Sequence, residues 1–177
     1  MKDEDDELRA RRLLADYIAA WNRHDAARLV SLFAEDGCYG EFGQGAVLFG
    51  HEVIRRYLSA KFSTLPGLTN TLTAYPTWDG AQVIYKWAMT ATPRREFAGV
   101  SPTGRPFQVP GATVLVVEDD KIARAADYYD VRTIARQLRF GLTPGPEGPA
   151  SGFSFVDADI ISSPDFPVTE DNIRYGE

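Results

Sequence analysis

The sequence is poor in the residues from which several kinds of protein are built. One cysteine, Cys38, in 177 residues excludes an internal disulfide framework and suits a reducing compartment. The two histidines, His24 and His51, sit at helix-start turns and lack metal-ligand spacing, so no metal is expected. There is no basic excess: a net charge of -6 opposes binding to nucleic acid or to an anionic membrane. No apolar run approaches the roughly 20 residues that span a bilayer. Gly43 and Gly45 are not followed by Lys-Ser/Thr, so they make no phosphate loop, and no cofactor motif is found. The opening, Met1 to Glu7, is acidic where a signal peptide is basic and then apolar. The expectation from these absences is a soluble cytoplasmic protein without metal or cofactor.

What remains is an ordinary globular composition, 44% hydrophobic and 25% charged, long enough for one domain with its own core. Residues 1–6 read as a disordered acidic lead-in, 7–141 as the folded domain, and 142–177 as a Pro/Gly/Ser-rich arm. Apolar periodicity predicts helices over roughly 7–23, 26–34 and 51–62, with a short strand, Cys38 to Phe42, before the flexible Gly43-Gln44-Gly45. Asp25 is the expected N-cap of the second helix. Two hairpins follow: Thr69–Trp78 with Gln82–Glu96 across Asp79-Gly80, and Arg105–Glu118 with Lys121–Asp130 across Asp119-Asp120. A last helix, roughly 131–140, ends at Gly141, with Asp130 as its cap. Helices followed by strands point to an α+β fold, a curved antiparallel sheet wrapped around three N-terminal helices.

Arg94-x-Glu96 and Tyr39-x-Glu41 precede Asp127 on segments that otherwise read as walls of a hydrophobic cup. Ionisable groups are unfavourable there unless partnered, and proton-transfer chemistry explains why they would be kept. Arg94 and Glu96 share strand parity with Thr90 and Thr92, while Val83, Tyr85, Trp87 and Met89 form the other face, with Pro93 a candidate bulge.

The element order resembles the nuclear transport factor 2-like superfamily of cone-shaped domains. Phe33-Ala34-Glu35-Asp36 is similar to the segment after that fold's second helix. Pro102-Thr103-Gly104-Arg105, Lys121-Ile122 and Asp127-Tyr128-Tyr129-Asp130 resemble the SnoaL-like cyclases and limonene-epoxide hydrolases, over roughly 8–140. The hydrolase resemblance implies Arg94 as a bridge, Glu96 as proton donor, Asp127 as base and Tyr39 as water positioner. Glu96 stands where that family has Asp, and Glu41 where it has Asn. Tyr17 resembles the oxyanion-hole tyrosine of ketosteroid isomerases, with Glu41 near their base. Their second donor, a protonated Asp, would fall near Ala112 or Thr113, where no carboxyl stands. The resemblance also implies a homodimer.

The function expected first is epoxide opening by water or an internal nucleophile on a hydrophobic small molecule. A SnoaL-like cyclase, a ketosteroid isomerase-like enzyme and a non-catalytic binding module are the alternatives. Tyr17 and Trp87 are the candidate substrate contacts. Structural readings stay open beside these: a surface ion pair for Arg94 and Glu96, a solvent-face carboxylate for Asp127, core packing for Tyr17, Tyr39 and Trp87, and a solvated loop acid for Glu41.

Overall fold

The computed structural model describes residues 2–141 and the paired segments Pro144–Gly145 and Gly148–Pro149; the rest of the expected 142–177 arm lies outside the described residues. Helix α1 (Lys2–Asn22) begins inside the lead-in expected to be disordered. Arg9 meets Asp6 at 2.5 Å and Arg11 meets Glu7 at 2.7 Å, pairs one helical turn apart that support this end. Its buried stripe, Leu14, Tyr17, Ile18 and Trp21, follows the predicted period. The short α2 (Ala26–Ser31) is capped by Asp25, whose carboxylate accepts from the Arg28 N–H.

Strands β1 (Phe33–Glu41) and β2 (Ala46–Phe49) form a hairpin around the Gly43–Gly45 turn, and α3 (His51–Thr64) follows. The expected strand Thr69–Trp78 is two pieces, β3 (Thr69–Leu72) and β4 (Thr77–Trp78), divided around Pro76, which has no N–H for a ladder. Strand β5 (Gln82–Ala91) stops short of the predicted Glu96, because Pro93 cannot donate to its neighbour. Then come β6 (Phe107–Glu118), β7 (Lys121–Tyr129), α4 (Val131–Phe140), and the two-residue β8 (Pro144–Gly145) and β9 (Gly148–Pro149). Asp130 caps α4, accepting from the Arg132 N–H and the Thr133 hydroxyl.

The main sheet runs β2-β1-β7-β6-β5-β3, with β4 also on β5. It is mixed, not purely antiparallel as expected, because β1 lies parallel to β7. Local turns specify hairpins, whereas this pairing joins strands separated by most of the domain and leaves no local signal. Its register aligns Tyr85, Thr113, Asp127 and Glu41 in one row across β5, β6, β7 and β1. That row faces the core, where Leu14, Tyr17, Trp21, Ile54 and Leu58 of the helices cover it.

Candidate functional site

Two carboxyls and one ammonium end up inside this core: Glu41 at 0%, Asp127 at 7% and Lys61 at 7% exposure. Removing charges from water this far is unfavourable by several kcal/mol per ion unless they are partnered. The partners form a connected chain. Trp87 Nε1 donates to Thr113 Oγ1 at 2.7 Å, and the Thr113 hydroxyl donates to Asp127 Oδ1 at 2.6 Å. The Tyr39 hydroxyl lies 2.7 Å from Asp127 Oδ2 and 2.8 Å from Glu41 Oε2. Lys61 Nζ donates to the same Glu41 oxygen, forming a buried ion pair. The ammonium also lies 5.3 Å from the Trp21 ring centroid and 5.7 Å from that of Tyr129.

Glycines make room for this arrangement. A Cβ on Gly111 would stand 2.3 Å from the Trp87 ring, so the bare backbone lets the indole cross β6. A Cβ on Gly43 would stand 2.4 Å from the Tyr129 ring, and Gln44 beside it donates to the Tyr129 hydroxyl at 3.2 Å.

The two carboxyls have unlike proton affinities. Burial and then the Glu41 charge raise Asp127 to about 6, against the lowering effects of Lys61, Thr113 and Tyr39. Burial also pushes Glu41 up, but the Lys61 ammonium and the phenols around it bring Glu41 below the usual carboxylate value. Burial, then Asp127 and Glu41, hold the Tyr39 phenol well above 10.0, so it stays protonated. Tyr57 and Tyr129 are raised by burial and then by Glu41. Their influence on Glu41 is one of proximity, since Glu41 Oε1 is buried without a hydrogen-bond partner.

Among the sequence candidates, the structure brings Asp127, Tyr39 and Glu41 together. It does not bring Arg94 or Glu96 to Asp127. Both are exposed in the segment after β5, and the residue paired with Asp127 on the neighbouring strand is Thr113 of β6. Strand parity along β5 does not carry past Pro93, because the strand ends at Ala91. Arg94 lines an open surface hollow with Pro66, Thr90 and Pro106. Glu96 lines an open hollow of about 180 Å³ with Gln44, Tyr57, Lys61, Thr64 and Phe97. Tyr17 and Trp87 are core residues with 1% and 4% exposure and present no open surface. The gap beside Trp87 is about 10 Å³, at the lower limit for one water. Tyr17 nonetheless sits within the field of Asp127, which together with burial raises its phenol.

Lys61, Thr113, Tyr57 and Tyr129 went unrecognised as site residues. Lys61 had a legible signal: it falls three and four residues after Leu58 and Tyr57, on the apolar stripe of α3. Tyr129 shares the face of Asp127 by strand alternation. Thr113 needed the β6–β7 register. His24 stacks on Phe62 with centroids 4.8 Å apart and contacts the Leu68 carbonyl, while His51 contacts the Phe33 and Ala34 carbonyls. Among the described residues, no His/Cys/Asp/Glu group could hold a metal ion, and no helix is long and apolar enough to cross a membrane.

Solved structures place this architecture in a known group. A protein of ketosteroid isomerase-like fold from Catenulispora acidiphila, determined with trimethylamine, is 26% identical over 72% of this chain and 92% of its own, at a TM-score of 0.64. TsrD from Streptomyces laurentii, 23% identical, covers 76% of this chain and 96% of its own at 0.65. A candidate polyketide cyclase from Xanthomonas campestris, 22% identical, covers 75% and 98% at 0.66. The last two speak for the fold alone. No curated protein matches the sequence. The profile of the SnoaL-like polyketide cyclases matches residues 11–138, from the first helix to the last and across the strands that carry Tyr39, Glu41 and Asp127, and the chain belongs to that family.

Proposed function

We propose that this protein is an acid–base enzyme acting on a hydrophobic carbonyl compound, with Asp127 as the group that takes and returns the proton. Asp127 removes a proton from a carbon beside a carbonyl, the enolate carbon closes a ring on a second carbonyl, and Asp127 returns its proton to the new alkoxide. The observation that carries this reading is a buried carboxyl poised at about 6, bonded to a neutral hydroxyl on each oxygen. Such a group is mostly ionised at neutral pH and yet forms a usable conjugate acid. General acid–base help of this kind is worth about a hundred- to ten-thousand-fold in rate. Membership of a cyclase family supports the ring closure.

Epoxide opening is the second reading. It needs one neutral and one ionised carboxyl at the same pH, and Asp127 and Glu41 on one phenol supply that pair without Arg94 or Glu96. The reaction then uses Asp127 as proton donor to the departing oxygen.

The deciding experiment incubates the protein with linear polycarbonyl esters and with cyclic epoxides in deuterated, oxygen-18-labelled water. Cyclised product, with Asp127→Asn slowed about a hundredfold or more, is the expected result. Labelled diol instead selects epoxide hydrolysis. Full activity in Asp127→Asn would overturn both readings, and binding without turnover on either panel would favour a binding module.

A further inference from the structure

We propose that Lys61 is a positioning residue that decides which buried carboxyl carries the exchangeable proton: it holds Glu41 as the carboxylate, turns the Tyr39 hydroxyl toward Glu41, and leaves Asp127 to gain and lose the proton. This rests on the reading of Asp127 as the acid–base group and adds a residue which that reading does not use.

The argument begins with a count of hydrogens. Tyr39 Oη lies within hydrogen-bonding distance of both carboxyls, at 2.8 and 2.7 Å, and a phenol has one hydrogen to donate. Both contacts are satisfied together only when one carboxyl is neutral and donates to the phenol oxygen while the other is ionised and accepts from it. Two arrangements meet this condition, with the proton on Asp127 or on Glu41. Burial does not choose between them, because both carboxyls are buried.

Lys61 does choose. Its ammonium donates to Glu41 Oε2, the oxygen that Tyr39 also meets, and the two side chains are 4% and 0% exposed. In so dry a site an ammonium favours the ionised form of the carboxyl it touches. Asp127 has no such partner: its Oδ1 accepts from the neutral Thr113 hydroxyl. The titratable groups around Asp127 are Tyr17 of α1, Tyr39 and Glu41 of β1, Lys61 of α3 and Tyr85 of β5. Those around Glu41 are Tyr17 of α1, Lys61 and Tyr57 of α3, Tyr39 of β1, and Tyr129 and Asp127 of β7. Lys61 alone among them is cationic.

An indirect role predicts an unusual sign. At Asp127 the charge of Glu41 outweighs that of Lys61. Without Lys61, Glu41 takes up the proton and its charge is lost, and the Tyr39 hydroxyl turns to Asp127. Removing a cation therefore lowers the Asp127 midpoint, whereas a direct charge effect would raise it.

The test is a carbon-13 NMR titration of labelled Asp and Glu carboxyls, assigned with Asp127→Asn and Glu41→Gln. In the wild type, Glu41 should stay ionised while Asp127 titrates near about 6. In Lys61→Met the order should reverse, with the Asp127 midpoint falling below its wild-type value and Glu41 titrating above it. Lys61→Arg should restore the wild-type order. In the Glu41→Gln background, adding Lys61→Met should no longer lower Asp127. An Asp127 midpoint that stays or rises in Lys61→Met overturns the proposal. So does a wild type in which Glu41 holds its proton to higher pH than Asp127, a result that needs no Lys61 variant to fold. No substrate is used, so failure of the cyclase reading leaves this outcome distinguishable.

Discussion

Asp127 accepts from the neutral Thr113 hydroxyl, and that contact has a measurable consequence. Thr113→Val removes the donor to Oδ1, which normally lowers the midpoint, so the pH profile of kcat/KM should move above about 6. The same change leaves the buried Trp87 N–H without its acceptor, at a cost of about 1–3 kcal/mol in chemical denaturation. Asp127 itself should destabilise the fold at neutral pH. Its carboxyl binds a proton more tightly folded, at about 6, than unfolded, near 3.8. Between those values the native state holds more protons, so the stability contribution of Asp127 falls as pH rises through the window. Asp127→Asn, which imitates the neutral acid, should therefore be more stable than wild type at pH 7, on the order of 2–3 kcal/mol, while losing turnover. Comparing denaturation midpoints at pH 5 and pH 7 checks this, and a less stable Asn variant at pH 7 would contradict it. Glu41 acts in the opposite direction, because its lowered value stabilises the fold above 4.5, a contribution lost as pH falls through the lowered value.

Sheet register makes neighbours of side chains that are far apart in sequence. Gly111 faces Trp87 across β5 and β6, and its missing side chain lets the indole reach Thr113. Gly111→Ala should lower stability by about 1–3 kcal/mol through overpacking, and should also shift tryptophan fluorescence and the Asp127 pH profile. A variant with unchanged fluorescence and profile would show that the indole does not depend on this gap. Asp130→Ala should cost about 1 kcal/mol through loss of the α4 cap, without altering the profile, as a thermal melt beside the same assay would reveal. Hairpin turns and helix caps such as Asp25 and Asp130 were legible because their signals lie within a few residues. The ends of β5 and the break between β3 and β4 were less so, although Pro93 and Pro76 marked them. The strand parity that supported Arg94 and Glu96 does not reach them, because β5 ends at Ala91 and parity has no meaning once the ladder stops.

Across the whole molecule the sheet has two unlike faces. One carries Tyr85, Thr113, Asp127 and Glu41 toward the helices. The other leaves Val47, Phe49, Ile84 and Tyr128 exposed, with Phe49 at 67% and the Tyr128 ring stacked 4.9 Å from Phe42. Contiguous exposed apolar surface is a feature of association sites. The homodimer implied by resemblance is expected to use it, and Phe49→Asp should then halve the mass measured by light scattering. A wild type already at monomer mass would remove that expectation.

The amino-acid order alone determined most helical and strand segments, the hairpin turns, the caps and the α+β class, because each is marked by periodicity or by interactions a few residues long. It also marked Tyr39, Glu41 and Asp127 as polar residues out of place among apolar ones. Only the tertiary structure decided what those residues meet. The parallel β1–β7 pairing set Glu41 beside Asp127, and the seating of α3 brought Lys61 onto Glu41. Proton affinities in this site come from burial and from charges a few ångströms away, and those distances exist only once the chain has folded.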